Sequence, residues 1–160
     1  MSDTTNDEIV LDITYPYLWK SVAVDNFTNR LSDVQEFIEK FKLFQKFIES
    51  CSGKTIMAIK RESNHCHPIN TKKELELIKK IIKEHYDNNR IFETIWSQYF
   101  ADEEFWQMAT TNGFRVFGIK KGNKFRLLIF DYYHCIYPSE SHNDKSIAHN
   151  DYSVYYKERQ

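Results

Sequence analysis

The sequence predicts an α+β domain: helices packed against a small, mainly antiparallel sheet with a C-terminal β-hairpin. Three observations carry this. Val34, Phe37, Ile38, Phe41, Phe44, Phe47 and Ile48 recur at the spacing of one helix face. Leu75, Ile78, Ile81 and Ile82 repeat that spacing behind Thr71 and Glu74, a capping-box pair. From residue 114 the period changes: FRVFGIK and KFRLLIFDYYHCIYP are two β-rich runs around a Lys-Gly-Asn turn. A helical first half followed by a hairpin belongs to the α+β class.

Taken in order, residues 1–7 read as a disordered polar tail, and residues 8–160 as one domain. EIVLDITYPYLWKSVAV (8–24) is rich in β-branched and aromatic residues and is interrupted by Pro16, which suits one or two short edge strands. Ser32 and Gln35 form a capping box that opens the first helix, and Ser50-Cys51-Ser52-Gly53 closes it. KTIMAIK (54–60) reads as a short buried strand and NHCHPIN (64–70) as the loop after it. The second helix runs to about Tyr86, with Lys72, Lys73, Lys79, Lys80 and Lys83 on a solvated face. DNNR (87–90) caps a third helix with Phe92, Ile95, Trp96, Tyr99 and Phe100 inward. Asp102-Glu103-Glu104 suits the first turn of a short fourth helix, where the helix dipole favours acids, and Asn112-Gly113 ends it. In the hairpin, the second run is apolar on both faces, as a central strand should be, until Pro138 stops it. The aromatic residues Tyr152, Tyr155 and Tyr156 should dock the C-terminal segment back onto the body.

Composition narrows the function classes. A formal net charge of −1 over 160 residues gives no global field for nucleic acid or an anionic membrane. Aromatics are 16% of the chain, enough to fill a core and still furnish a contact surface. No run approaches the roughly 18 apolar residues of a membrane helix, and the N-terminus lacks the basic and apolar regions of a signal peptide. Three cysteines, Cys51, Cys66 and Cys135, cannot pair completely, which fits reduced thiols in a cytoplasm. Phosphate-binding glycine loops and the hydrolase nucleophile elbow are absent from the sequence.

Two places can carry chemistry. His65 and His67 would point the same way on an extended backbone, and with His134 and Asp131 they make a candidate zinc set. The plainer reading is a proline-stiffened loop whose imidazoles bond backbone, with no cofactor. The second place is the hairpin. Arg115, Lys120, Lys121, Lys124 and Arg126 have no acid among them from 114 to 126 and interleave with Phe114, Phe117 and Phe125. Lys120, Lys121, Lys124, Phe117 and Phe125 are therefore the candidate binding surface; the alternative is an edge whose lysines discourage aggregation. For metal-independent RNA cleavage, His134 and Tyr137 with Arg115 and Arg126, aided by His65 or His67, offer the needed acid, base and cations. Cys66 and Cys135 are weaker nucleophile candidates, because adjacent residues in a strand face opposite ways.

GFRVFGIKKGNKFRLLIFDYYHCIYPSESHND resembles small uncharacterised proteins of phages and mobile elements from low-GC Gram-positive bacteria. The similarity spans about residues 64–151 and rests on the hairpin, on Asp131, His134, Tyr137 and Pro138, and on His67-Pro68. The layout is also distantly similar to RelE-like ribonuclease toxins, which are shorter and strongly basic, unlike this chain. A mobile-element origin implies a host protein or nucleoprotein as partner, for instance in a CRISPR or restriction defence. The expectation is thus a cytoplasmic interaction protein, with a toxin-like endoribonuclease as alternative. Neutral charge and abundant Tyr and Phe favour the first.

Overall fold

The computed structural model describes residues 6–109, 114–137, 147 and 149–154. In chain order the elements are β1 (Val10–Asp12), β2 (Ala23–Val24), β3 (Phe27–Thr28), α1 (Val34–Cys51), α2 (Ile56–Glu62), β4 (His67–Pro68), α3 (Lys72–His85), α4 (Phe92–Tyr99), β5 (Glu104–Ala109), β6 (Arg115–Lys121) and β7 (Lys124–Asp131). One sheet has the order β1-β7-β6-β5-β4, with β1 parallel to β7 and the remaining pairs antiparallel; β2 and β3 form a separate small hairpin. This is an α+β fold.

Helices cover both faces of the sheet. On one face, Phe44 of α1 and Trp19 pack on Phe130, with ring centroids 5.2 and 4.8 Å apart. On the other, Trp96 of α4 stacks on Phe105 at 5.8 Å. The buried rings among these, Phe44, Phe105 and Phe130, each contribute roughly 1.5–3 kcal/mol of transfer free energy. The hairpin closes through Gly122, whose φ of 62° suits the first central position of a two-residue turn. A bulge follows: Phe117 pairs with Ile129 but Gly118 pairs with Leu127, so Leu128 is an extra residue. The bulge shifts the alternation of β7, so Arg126, Ile129 and Asp131 share one face with Arg115, Phe117 and Ile119. Position 118 must be glycine here, because a Cβ would lie 2.1 Å from the Arg126 carbonyl oxygen.

Several sequence expectations are corrected. Residues 54–60 are mostly helical, not a strand: Thr55 caps α2 by accepting from the Ala58 amide, and the buried Ile56 and Ile59 stand three apart. The expected fourth helix is instead strand β5, paired along its length with β6 and buried on both faces. Sheet pairing overrides the local acid signal there. Asn112-Gly113 and Pro138 lie outside the described residues. NHCHPIN is not simply a loop, since His67–Pro68 is the edge strand β4. Asp33, not Ser32, caps α1, accepting from the Glu36 amide while Ser32 donates to the Glu36 carboxylate. Thr71 occupies the N-cap position of α3 without a side-chain cap bond. Tyr99, expected inward, is exposed.

The N-terminal stretch is tied down by the bridge of Glu8 with Thr55 and by the Gly53 amide and Asn123 side chain, which donate to Glu8. The C-terminal stretch is held by the bridge of Tyr152 with Leu31 and by Asn150, which donates to the Arg30 carbonyl. Tyr155 and Tyr156 lie outside the described residues. No helix among the described residues is long and apolar enough to cross a membrane.

Candidate functional site

Local accounting of charge dissolves most of the basic hairpin surface. Lys120 is half-buried and sits over the Trp106 ring, 5.7 Å from its centroid. Lys121 reaches Glu103 at 3.7 Å and Lys124 reaches Asp12 at 3.4 Å. Those acids arrive from β1 and from the turn before β5, so a count confined to the hairpin misses them. Phe117 and Phe125 are 0% exposed, and Phe114 is also buried. The expected aromatic platform for bases therefore faces the core; alternation and the bulge on a doubly covered sheet leave no hairpin phenylalanine at the surface.

The Asp-x-x-His-x-x-Tyr stretch builds a turn at the end of β7. Asp131 is fully buried, and its two carboxylate oxygens accept from the Cys135 and Ile136 amides, each at 2.9 Å. Burial raises its pKa, opposed by those amides and by Arg115, its partner in register on β6. Arg115 is buried too, which lowers its pKa against the pull of Asp131 and Tyr137. His134 is buried with a φ of 58°, inside the turn rather than at an open surface. Asp131 is therefore a backbone clamp, not a free ligand, and His134 is held where bulk access is small.

The structure brings Arg115, Tyr137 and His67 together. The His67 and Tyr137 rings meet edge to face at 5.7 Å, and Tyr137 stacks on Phe117 at 6.3 Å. Burial raises the Tyr137 pKa, while the Thr71 hydroxyl and Arg115 oppose that shift and Glu74 adds to it. Gln107 donates to the His65 carbonyl at 2.9 Å and approaches Nε2 of His67 at 3.5 Å. Its own Oε1 and Oε2 of Glu74 are buried without a hydrogen-bond partner. An imidazole, a phenol and a guanidinium here have the ingredients for proton transfer next to an anion.

The structure does not bring the other predicted members to this place. Arg126 lies on the same sheet face but four register positions along β6, about 13 Å at strand rise. His65 sits in the exposed turn before β4, so the parallel histidine pair does not form. Among the described residues, no three His, Cys, Asp or Glu side chains converge as metal ligands, so His65, His67, His134 and Asp131 do not come together as one ligand set. The cysteines are buried, and burial pushes the Cys51 and Cys135 thiols up to about 11, away from nucleophilic use.

A different surface stands out. Along α1, Val34 (55% exposed), Ile38 (41%), Phe41 (39%) and Ile48 (39%) form a stripe at i, i+4, i+7 and i+14. These residues were expected in the core with Phe44 and Phe47; of that face α1 buries only Phe44 and Phe47, together with Cys51. The half-buried Trp19 and Phe37 continue the stripe, with Trp19 5.9 Å from Phe37 and 6.0 Å from Phe41. The aromatic run at 15–19 was visible in the sequence but read as strand. His85 was also missed, although it continues the inward spacing of Ile78, Ile81 and Ile82.

A family model described as "Uncharacterised protein UU032" matches residues 14–160. No curated protein matches the chain. No solved structure matches it either.

Proposed function

From the premise that the chain belongs to the UU032 family, we propose that it is an interaction module that binds another protein through α1 and Trp19. One observation carries this reading: the exposed stripe of Val34, Ile38, Phe41 and Ile48 is joined to the half-buried rings of Trp19 and Phe37. Aromatic side chains anchored in a core and open on one side have the composition of an interface centre. Glu39, Lys42, Lys46 and Glu49 supply charges of both signs on the exposed part of α1, which suits a protein better than a polyanion. The resemblance to mobile-element proteins makes a host protein or nucleoprotein, including a CRISPR or restriction component, the first partner to test.

The test compares Phe41→Glu with Lys121→Glu/Lys124→Glu in capture from a related host, with light scattering on the purified chain. Loss of a specific partner in Phe41→Glu alone supports the α1 surface. Capture that survives Phe41→Glu and fails in the lysine variant returns the interface to the hairpin. A dimer that Phe41→Glu converts to monomer makes the partner a second copy.

RNA cleavage is the second reading, favoured by the meeting of His67, Tyr137 and Arg115. It requires cleavage of RNA by the purified chain that is lost in His67→Ala and Tyr137→Phe.

A further inference from the structure

Arg126 is half-buried, and its Nε is fully buried without a hydrogen-bond partner. Among the described residues no carboxylate lies within ion-pair distance of it. Asp12, its register partner on β1, turns instead to Thr14, at 2.9 and 2.6 Å, and to Lys124 at 3.4 Å. Withdrawing a charge from water without a counter-charge is costly. What Arg126 has instead is rings: its guanidinium carbon lies 5.5 Å from the Tyr15 centroid, and its charge also acts on Tyr86. A cation–π contact does not replace the charge-assisted hydrogen bonds that a carboxylate makes to a guanidinium.

The rings around it are fixed. The Tyr15 hydroxyl bonds Nδ1 of His85 at 2.9 Å, and His85 is buried with its Nε2 unpartnered. Tyr17 packs edge to face on Tyr86 at 4.9 Å and lies 5.7 Å from Tyr15. Tyr17 and Tyr86 are half-buried, so they border the solvent side of the cluster. Lys20 adds positive charge next to it, over the Tyr17 ring at 5.6 Å, while also holding the His85 carbonyl and Asp87. A guanidinium fork with unanswered charge, held rigid on one phenol and bordered by others, matches the edge of an oxyanion.

We propose that Arg126, with Tyr15, Tyr17 and Tyr86, forms a binding site for a small oxyanion, a carboxylate or a phosphate monoester. Both present two oxygens to a guanidinium, and phenol faces favour ligands that carry a flat ring. The site is separate from the α1 surface and does not depend on it.

The test is a two-dimensional NMR titration at constant ionic strength, following the Arg126 Nε–H and the amides of Tyr15 and Tyr86. The probes are inorganic phosphate, phenyl phosphate, acetate and benzoate, and the comparison among them identifies the oxyanion and the value of the ring. The expected result is saturable binding with a Kd of about 1 mM or tighter for at least one ring-bearing probe. Arg126→Gln should weaken it at least about tenfold, Arg126→Lys by less, and Lys121→Gln should leave it unchanged. Shifts that fail to saturate, or that persist in Arg126→Gln, overturn the site. Saturation by a single-stranded oligonucleotide but by none of the small probes also overturns it, and makes the hairpin a nucleic-acid surface.

Discussion

Arg115 and Arg126 occupy the same hairpin and the same sheet face, yet their surroundings are opposites. Arg115 is buried across from Asp131, a carboxylate that two backbone amides also hold. Arg126 keeps partial solvent contact and rests on a tyrosine ring, and among the described residues no carboxylate lies within ion-pair distance of it. The difference teaches that a basic residue's role is decided by what other strands bring to it. Arg115 belongs to the architecture of the strand end. Arg126 is a charge left over, which is what a ligand site requires.

The contrast can be broken by stability measurements. Asp131→Ala leaves the buried Cys135 and Ile136 amides without their acceptor and removes the negative charge that acts on Arg115, so it should cost about 2–5 kcal/mol in urea unfolding. Arg126→Met should change stability by no more than about 1 kcal/mol, because no salt bridge is lost and a desolvated charge is removed. A large loss at Arg126 would show that it too is structural.

The ring support under Arg126 predicts a pH effect. Burial, reinforced by Lys20, depresses the His85 pKa to about 3, below the ~6.5 of an unfolded chain. Between these values the unfolded state binds the extra proton, so the His85 contribution is complete above about pH 6.5 and fades on acidification toward about 3. Asp131, whose pKa is raised, acts in the opposite direction. The difference between the wild type and His85→Gln isolates the histidine: the variant's stability should fall less between pH 7 and pH 4, by about 3 kcal/mol. Equal slopes would place His85 in contact with water.

Smallest of all should be Lys121→Ala, within about 0.5 kcal/mol, because its contact with Glu103 is an exposed pair 3.7 Å long. Should its loss exceed that of Arg126→Met, the ranking of hairpin cations argued above would be reversed.

Much of the fold was legible in the sequence. The helices at 34–51, 72–85 and 92–99 and the closing hairpin follow from periodicity and turn chemistry. The failures are instructive. KTIMAIK is short and apolar, and such a run does not distinguish strand from helix until one sees that Ile56 and Ile59 are buried together. Residues 104–109 carry a helix-like acid cluster, but they pair with β6 over their full length. On α1 the apolar stripe is wider than the face the sheet can cover, so position alone could not separate core from surface. The site was less legible: Tyr137, Arg115 and His67 do meet, whereas Arg126 and His65 stand apart, because meeting depends on register across four strands.

By itself the sequence determined the α+β class, the helices at 34–51, 72–85 and 92–99 and the Gly122 turn, since these depend on local periodicity and backbone freedom. The tertiary structure alone decided which charges are answered. The bulge at Leu128 turned Arg126 to the face of Arg115, while Asp12 from β1 and Glu103 from the turn before β5 came to meet the lysines. Charge compensation acts over a few ångströms in space, not along the chain. For that reason the hairpin that reads as uniformly basic is, in the fold, a mostly answered surface with one guanidinium still open.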